Sequence, residues 1–274
     1  MANRQPEPQD RLAAVPPAAA PDAERRFGGL RRLWGDADYA RVRAARIAVV
    51  GVGGVGSWAA EALARSGVAG LVLIDLDQVA ESNINRQVQA LGSTLGAAKV
   101  QALRRRIADI HPDCAVAAIE EFVTPDNWPA LLPGPVDVVI DACDQGQAKL
   151  AMAHWAWSGG HALVCAGAAG GKSEPQRVEV DDLAAVTHDP LLAALRQRLR
   201  KLGAPGRGAI GVRCVFSREP IAPSATGDCA ADGSLNCHGY GSSVTVTAGF
   251  GLVLAAEALR ILRDGRYPPR AGTG

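Results

Sequence analysis

Aromatic residues are scarce in this chain, at 4 % of 274 residues with five Trp, three Tyr and four Phe. Its core must therefore be built from Ala, Val, Leu and Ile. A surplus of charge of one sign is also missing. The formal net charge of +1 excludes a protein that seeks polyanions over its whole surface, while leaving room for local basic patches. The six cysteines (Cys114, Cys143, Cys165, Cys214, Cys229, Cys237) lie far apart and form no CxxC pair, so no structural zinc site and no disulfide framework is expected. No internal repeat is visible. One long apolar run exists, Ser242 to Leu262, but Thr, Gly and Ser dilute it and it carries Glu257 and Arg260. Those charges are costly in hydrocarbon, so it reads as a buried amphipathic helix rather than a membrane anchor.

What is present is ordinary globular material, 48 % apolar and 21 % charged, of a length that suits one large domain or a small pair. The opening MANRQPEPQDRLAAVPPAAAPD has no continuous apolar run of the kind a secretory signal needs. Its Pro, Ala and Gln content reads as a disordered tail over residues 1–24. A reduced, cytoplasmic protein is the expectation.

Past the tail, an Arg-rich helical stretch leads to RIAVVGVGGVGSWAAEALARSG from Arg46. The unbroken β-branched run Ile47–Val50 suits a strand buried on both faces, and Ser57–Arg65 a helix that stops at Gly67. A second strand, LVLID, ends at Asp75. A helix from about Gly96 to Ile110 stops at His111-Pro112, and a strand follows near Ala115–Glu120. PVDVVIDACD from Pro135 is another buried strand, Gly146–Trp157 a helix, and ALVCAG from Ala162 a further strand. Beyond Gly171 come a polar strand QRVEV from Gln176, a basic helix Pro190–Lys201 and a strand VRCVFS from Val212. The Gly-, Ser-, Pro- and Asn-rich stretch that follows reads as a long loop, and the apolar helix and a short tail end the chain. The alternation predicts an α/β fold: a doubly wound, Rossmann-like, mainly parallel sheet with a C-terminal extension of strands, long loop and apolar helix.

Gly51, Gly53 and Gly56 form GxGxxG between a predicted strand and a predicted helix, with Asp75 closing the next strand. Tight turning, close backbone approach and helix N-terminal amides make this a phosphate site, and Asp75 suits a ribose hydroxyl. Taken alone, that describes a dinucleotide oxidoreductase. Asp75-Leu-Asp77 and then Asn83-Ile-Asn85-Arg86-Gln87 and Lys99 deliver polar and cationic groups beside the glycines, where a triphosphate needs its charge offset. Asp141 and Asp144, at the end of VDVVID, could hold Mg²⁺ at the same rim. Each has an ordinary alternative: a surface ion pair for Arg86, a solvated helix face for Lys99, a helix cap for Asp144.

RFGGLRRLWG, VVGVGGVGSWAAEALARSG, LIDLDQVAESNINRQ, LGAAKV, FVTPDN, VVIDACD and CVFSRE together closely resemble the tRNA threonylcarbamoyladenosine dehydratase family. That family lies within the ubiquitin-activating-enzyme-like adenylating superfamily, and the resemblance spans about Arg26 to Leu262. It implies a single adenylating, ATP-binding domain over 25–264, with a crossover loop at about 219–242 and a tail over 265–274. It also implies ATP-dependent activation of the threonyl carboxylate of the modified adenosine beside the anticodon, then intramolecular ring closure with release of AMP and pyrophosphate. By resemblance, Gly51, Gly53, Gly54 and Gly56 cradle the phosphates, Asp75 with Asp77 takes the ribose side, and Lys99 contacts the nucleotide. Asn83 and Arg86 match the phosphate-binding pair of SNxxRQ, and Asp144 matches the Mg²⁺ aspartate, with Asp141 the weaker candidate. Arg86, Lys99 and Asp144 are the implied catalytic residues. A homodimer and sulfur-transfer partner proteins complete the implied set.

The chain departs from carrier-protein-activating relatives in two ways. It has no zinc CxxC pairs, and Arg26-Phe-Gly-Gly29 replaces an RxxR whose second Arg reaches the partner subunit, leaving Arg26 or Arg32 as substitutes. Cys229 and Cys237 fall in the crossover-loop region, where some superfamily members place a thioester cysteine, and are read as non-catalytic; Cys214, between Val and Phe, is read as buried. The other reading of the same ATP site is an adenylyltransferase acting on the C-terminal glycine of a ubiquitin-like sulfur carrier.

Charge distribution bears on the choice. Arg25 to Arg46 carries +5 and Arg196 to Arg213 carries +6, so the remainder is net acidic. Two concentrated basic segments, with Arg31, Arg32, Arg196, Arg198, Arg200 and Lys201 as candidate tRNA contacts, are the pattern a phosphate backbone requires.

Overall fold

The structure, a computed structural model, describes residues 21–221 and 240–265. Asp22 caps the first helix by accepting from the Arg25 amide (3.1 Å), so α1 (Ala23–Trp34) begins inside the segment expected to be tail. Gly35, at φ +81°, turns the chain into α2 (Asp36–Ala44). The βαβ unit then appears as β1 (Arg46–Val50), α3 (Gly56–Arg65) and β2 (Gly70–Ile74). Next come α4 (Lys99–Ile110), β3 (Ala115–Ile119), β4 (Val138–Asp141), α5 (Gly146–Gly159) and β5 (Leu163–Ala166). The chain continues through β6 (Val178–Asp182), α6 (Pro190–Lys201), β7 (Arg213–Ser217) and α7 (Val244–Asp264).

The sheet has seven strands in the order β3-β2-β1-β4-β5-β7-β6, parallel except where β6 runs against β7. Order reverses between β1 and β4, so the loops leaving their carboxyl ends diverge and open a crevice there. One face of the sheet packs α3, α4 and α7 through Ala60, Leu63, Leu103, Ile107, Phe250 and Leu254. The other packs α5 and α6 through Met152, Ala156, Leu192, Leu195 and Leu199. Small residues suit this: a Cβ at Gly251 of α7 would stand 2.4 Å from the Val55 carbonyl at the start of α3. The scarcity of aromatics is thus matched by close helix approach.

Several boundaries move, each for a local reason. The helix expected from Gly96 starts at Lys99, because Gly96 takes φ +78° and Ala98 bridges to Gln78. The strand expected from Gln176 starts at Val178, since Pro175–Arg177 form a single 3-10 turn. The apolar run Ser242–Leu262 is the core helix α7. It has the length and composition to cross a membrane, yet its charges are satisfied internally. Arg213 Nε and Arg260 Nε donate to opposite oxygens of Glu257 at 2.7 and 2.8 Å. Residues 222–239, with Cys229 and Cys237 in the expected crossover loop, lie outside the described residues, as do 1–20 and 266–274. Cys214 is fully buried on β7, as expected.

Candidate functional site

The crevice at the switch point is a cavity of about 500 Å³. The carboxyl ends of β1, β2, β4 and β5 supply its walls, through Gly51, Asp75, Ala142 to Gln145, and Ala166 to Gly170. Glu121, Phe122 and Val123, which follow β3, Pro190 and Leu191 at the start of α6, and Thr247 of α7 also line it. Phe122 and Val123 open the FVTPDN motif but carry no site role by sequence, and Glu121 and Leu191 belong to none of the motifs.

The glycine turn between β1 and α3 is built for close approach. Gly51 has φ +80°, and a Cβ there would lie 2.9 Å from the Ala142 carbonyl and the Cys143 amide. A Cβ at Gly56 would stand 1.8 Å from the Gly51 carbonyl, so the turn cannot close with any other residue. Gly53 differs: its Cβ would meet nothing nearer than 3.9 Å. The fold does not require glycine there, whereas a ligand lying on the backbone does. Among the described residues the amides of Gly53 and Gly54 donate to no protein acceptor. With the N-terminus of α3 beside them, they form an anion cradle.

Asp75 closes the far side. Its Oδ2 accepts from the Val52 amide and its Oδ1 from the Asp77 amide, at 2.8 and 2.9 Å, which fixes the carboxylate against the glycine turn. Burial raises its pKa, and the Lys99 ammonium and the two amides offset part of that rise. Lys99 is buried and donates to Asp77 at 2.6 Å, so the solvated-face alternative does not hold. Arg86 is not in a surface ion pair either: its guanidinium donates to the Ser82 carbonyl and to Asn85 Oδ1. Burial lowers its pKa, and a guanidinium stays charged after such a shift. Trp58 Nε1 holds the Arg86 carbonyl at 2.9 Å, and Asn83 Oδ1 caps the Ala80 amide. Gly54, Arg86, Asp75, Asp77, Lys99 and Asp144 all line the cavity; Asn83 braces the turn behind it.

The two aspartates at the end of β4 and just past it separate sharply. Asp141 has no exposed surface and pairs with buried Lys149 at 2.9 Å, while also accepting from the Cys143 thiol at 3.0 Å. Its expected part as a weaker Mg²⁺ ligand is therefore corrected: the carboxylate is already neutralised inside the core. Burial opposes the Lys149 charge, but Asp141 and the neighbouring thiols outweigh it and raise its pKa. Asp144 remains on the cavity wall, one residue ahead of Gln145, the N-cap of α5. No group of three or more His, Cys, Asp or Glu forms a metal cage among the described residues. One carboxylate beside an anion cradle nevertheless fits Mg²⁺, which binds through one or two carboxylates together with substrate phosphates.

The candidate tRNA contacts fall into two groups. On α1, Arg31 is paired with Glu24 and Asp36, at 3.0 and 3.6 Å, and Arg32 is exposed. On α6, Arg196, Arg198 and Arg200 donate to backbone carbonyls and Lys201 is exposed. Arg26, one of two residues expected as stand-ins for an arginine that reaches a partner subunit, donates to the Asp109 and Ile110 carbonyls at the end of α4.

A doubly wound sheet with an anion cradle, a ribose-side acid and basic groups at its switch point defines a nucleotide-binding protein of the Rossmann-like class. The chain belongs to the ThiF family, which it matches over residues 28–272. It is 42 % identical over 247 residues to the tRNA threonylcarbamoyladenosine dehydratase of Escherichia coli (strain K12), covering 86 % of this chain and 92 % of that one. The crystal structure of E. coli tRNA N6-threonylcarbamoyladenosine dehydratase, TcdA, in complex with ATP is similar, with a TM-score of 0.81 and 40 % identity over 88 % of this chain and 95 % of that one. The same E. coli protein in complex with AMP gives a TM-score of 0.80 and 40 % identity over 88 % and 96 %.

Proposed function

We propose that this chain is an ATP-dependent dehydratase that converts threonylcarbamoyladenosine in tRNA to its cyclic form. The threonyl carboxylate attacks the α-phosphate of ATP, forming an acyl-adenylate and releasing pyrophosphate. The neighbouring carbamoyl group then attacks the activated carbonyl and expels AMP, which carries away the carboxylate oxygen, so the base loses one water. The second step is intramolecular, and proximity lowers much of its barrier.

The observation that carries this reading is the glycine at position 53. It lines the cavity and has amide and space to spare, in a chain strongly similar to an enzyme solved with ATP and with AMP. In this reading Gly51, Gly53, Gly54 and Gly56 hold the phosphates and Asp75 the ribose, with Asp77 keeping Lys99 in place. Arg86, braced by Asn83, offsets charge on the departing pyrophosphate. Asp144 would hold the Mg²⁺ that accompanies ATP and adds positive charge at the phosphates. The enzyme works in the cytoplasm as a homodimer.

Pyrophosphate release from Mg-ATP, with tRNA bearing or lacking threonylcarbamoyladenosine, tests this directly. Release only with the modified tRNA, and loss of one water from the nucleoside by mass, is the expected result. Release driven instead by a ubiquitin-like sulfur carrier would replace it with the carrier-activating reading.

A further inference from the structure

We propose that the basic face of α6 is the track along which the tRNA backbone leaves the active site. This rests on the tRNA reading above. Pro190, the first residue of α6, lines the nucleotide cavity and also a shallow surface groove formed with Ala193, Arg196, Gln197, Arg200 and Lys201. The groove thus starts at the mouth of the site and follows the helix away from it.

Its charge is of one sign, and among the described residues Arg196, Arg198, Arg200 and Lys201 form no ion pair. No Asp or Glu occurs from Pro190 to Arg213. Arg196 donates to the Leu183 and Val186 carbonyls, Arg198 to the Gly146 carbonyl and Gln147, and Arg200 to the Pro205 carbonyl. Neutral acceptors fix each guanidinium without removing its charge, and every one keeps further N–H groups to donate. Anchoring of this kind also lowers the entropy lost when an anion binds. In the other basic segment Arg31 and Arg41 are met by Glu24, Asp36 and Asp38, while Arg26 and Arg43 donate to backbone carbonyls of the core. Sequence charge alone weights the two segments alike; among the described residues α6 is the one of the two that borders the groove sharing Pro190 with the cavity.

Length fits as well. The 12 residues of α6 extend about 18 Å at roughly 1.5 Å each, enough to run beside more than one backbone phosphate of a single strand. A base held at the cavity would direct the phosphates of its flanking nucleotides toward Arg196, Arg200 and Lys201.

The test is tRNA binding by fluorescence anisotropy, which needs no turnover, across a salt series. Arg200→Glu/Lys201→Glu should weaken tRNA binding about tenfold at moderate salt and flatten the log–log salt slope by roughly 1.5, as expected for two lost phosphate contacts. The ATP KM and the kcat at saturating tRNA should stay unchanged. Arg200→Gln/Lys201→Gln, which adds no repulsion, should shift binding in the same direction by less, with an unaltered melting temperature. Arg104→Glu/Arg105→Glu, exposed on α4 across the sheet, is the control for bulk charge. An α6 variant that binds like this control overturns the α6 track while leaving the dehydratase reading in place. Wild-type protein that binds no tRNA overturns both.

Discussion

Asp141 and Lys149 face each other at 2.9 Å with 0 % and 1 % of their side chains exposed, under the segment that floors the nucleotide cavity. Asp141 also accepts from the Cys143 amide at 3.2 Å, so the pair reaches the chain that presents Asp144. Two buried charges are costly to desolvate, and removing one leaves the other uncompensated. Lys149→Met should lower unfolding free energy by about 3–5 kcal/mol. Lys149→Met with Asp141→Leu should recover most of that loss in urea titrations. The double variant should still show a raised ATP KM, because the Cys143 amide has lost its acceptor. Equal damage in the single and double variants would count against the pair.

Asp144 is the complementary case, a carboxylate on the wall rather than under it. Asp144→Asn should leave the thermal melt within about 2 °C of wild type, as a surface polar change does. Pyrophosphate release should fall by about 100-fold or more, the scale seen when one electrostatic group is removed from a transition state. Retained release by the folded variant would refute its metal role.

Much of this was legible before any coordinates. Ile47–Val50, LVLI and VVID are short apolar runs with no polar interruption, which a buried parallel strand demands, and the glycine spacing located the site. Long-range partners were not legible. Lys149 sits in GQAKLAMAHW like any helical lysine, and only the β4–α5 turn puts it beneath Asp141. Asp141 and Asp144 both stand in VVIDACD, yet Asp141 is the last residue of the doubly buried β4 and Asp144 lies past its end on the cavity wall. The antiparallel place of β6 outside β7 is a matter of strand order, which local pattern does not encode. Phe122 and Val123 stand in a legible motif, FVTPDN, but their place on the cavity wall follows from where β3 ends.

Asp75 links pH to nucleotide affinity. Burial raises its pKa, with Lys99 and the amides of Asp77 and Val52 in partial opposition. Between the ordinary value near 3.9 and the raised folded value the folded state holds the extra proton. The group therefore favours folding as pH falls, and that contribution is lost as pH rises through the folded value. Nucleotide binding has the opposite sign, since protonation weakens the carboxylate as an acceptor. The ATP KM should rise as pH falls through the raised pKa. Asp75→Asn should show a KM about tenfold higher at neutral pH, one charged hydrogen bond's worth, with that acid limb gone. A limb that persists in the variant would assign the titration elsewhere.

Glu257 joins the last helix to the sheet, and its pH dependence runs the other way from Asp75. Burial tends to raise its pKa, but hydrogen bonds from Arg260 and Arg213 outweigh burial and lower it. A lowered folded value gives stability that is complete above the unfolded pKa near 4.3 and is lost as pH falls through the folded value. The loss should therefore appear below pH 4.3 and not near neutrality. Glu257→Ala should cost about 2 kcal/mol at pH 7, less than a fully buried pair because Arg260 is partly in water. The difference between wild type and variant should shrink as pH drops below 4. Urea midpoints measured from pH 3 to pH 7 on both proteins decide this. A gap independent of pH would mean that Glu257 acts through packing rather than charge.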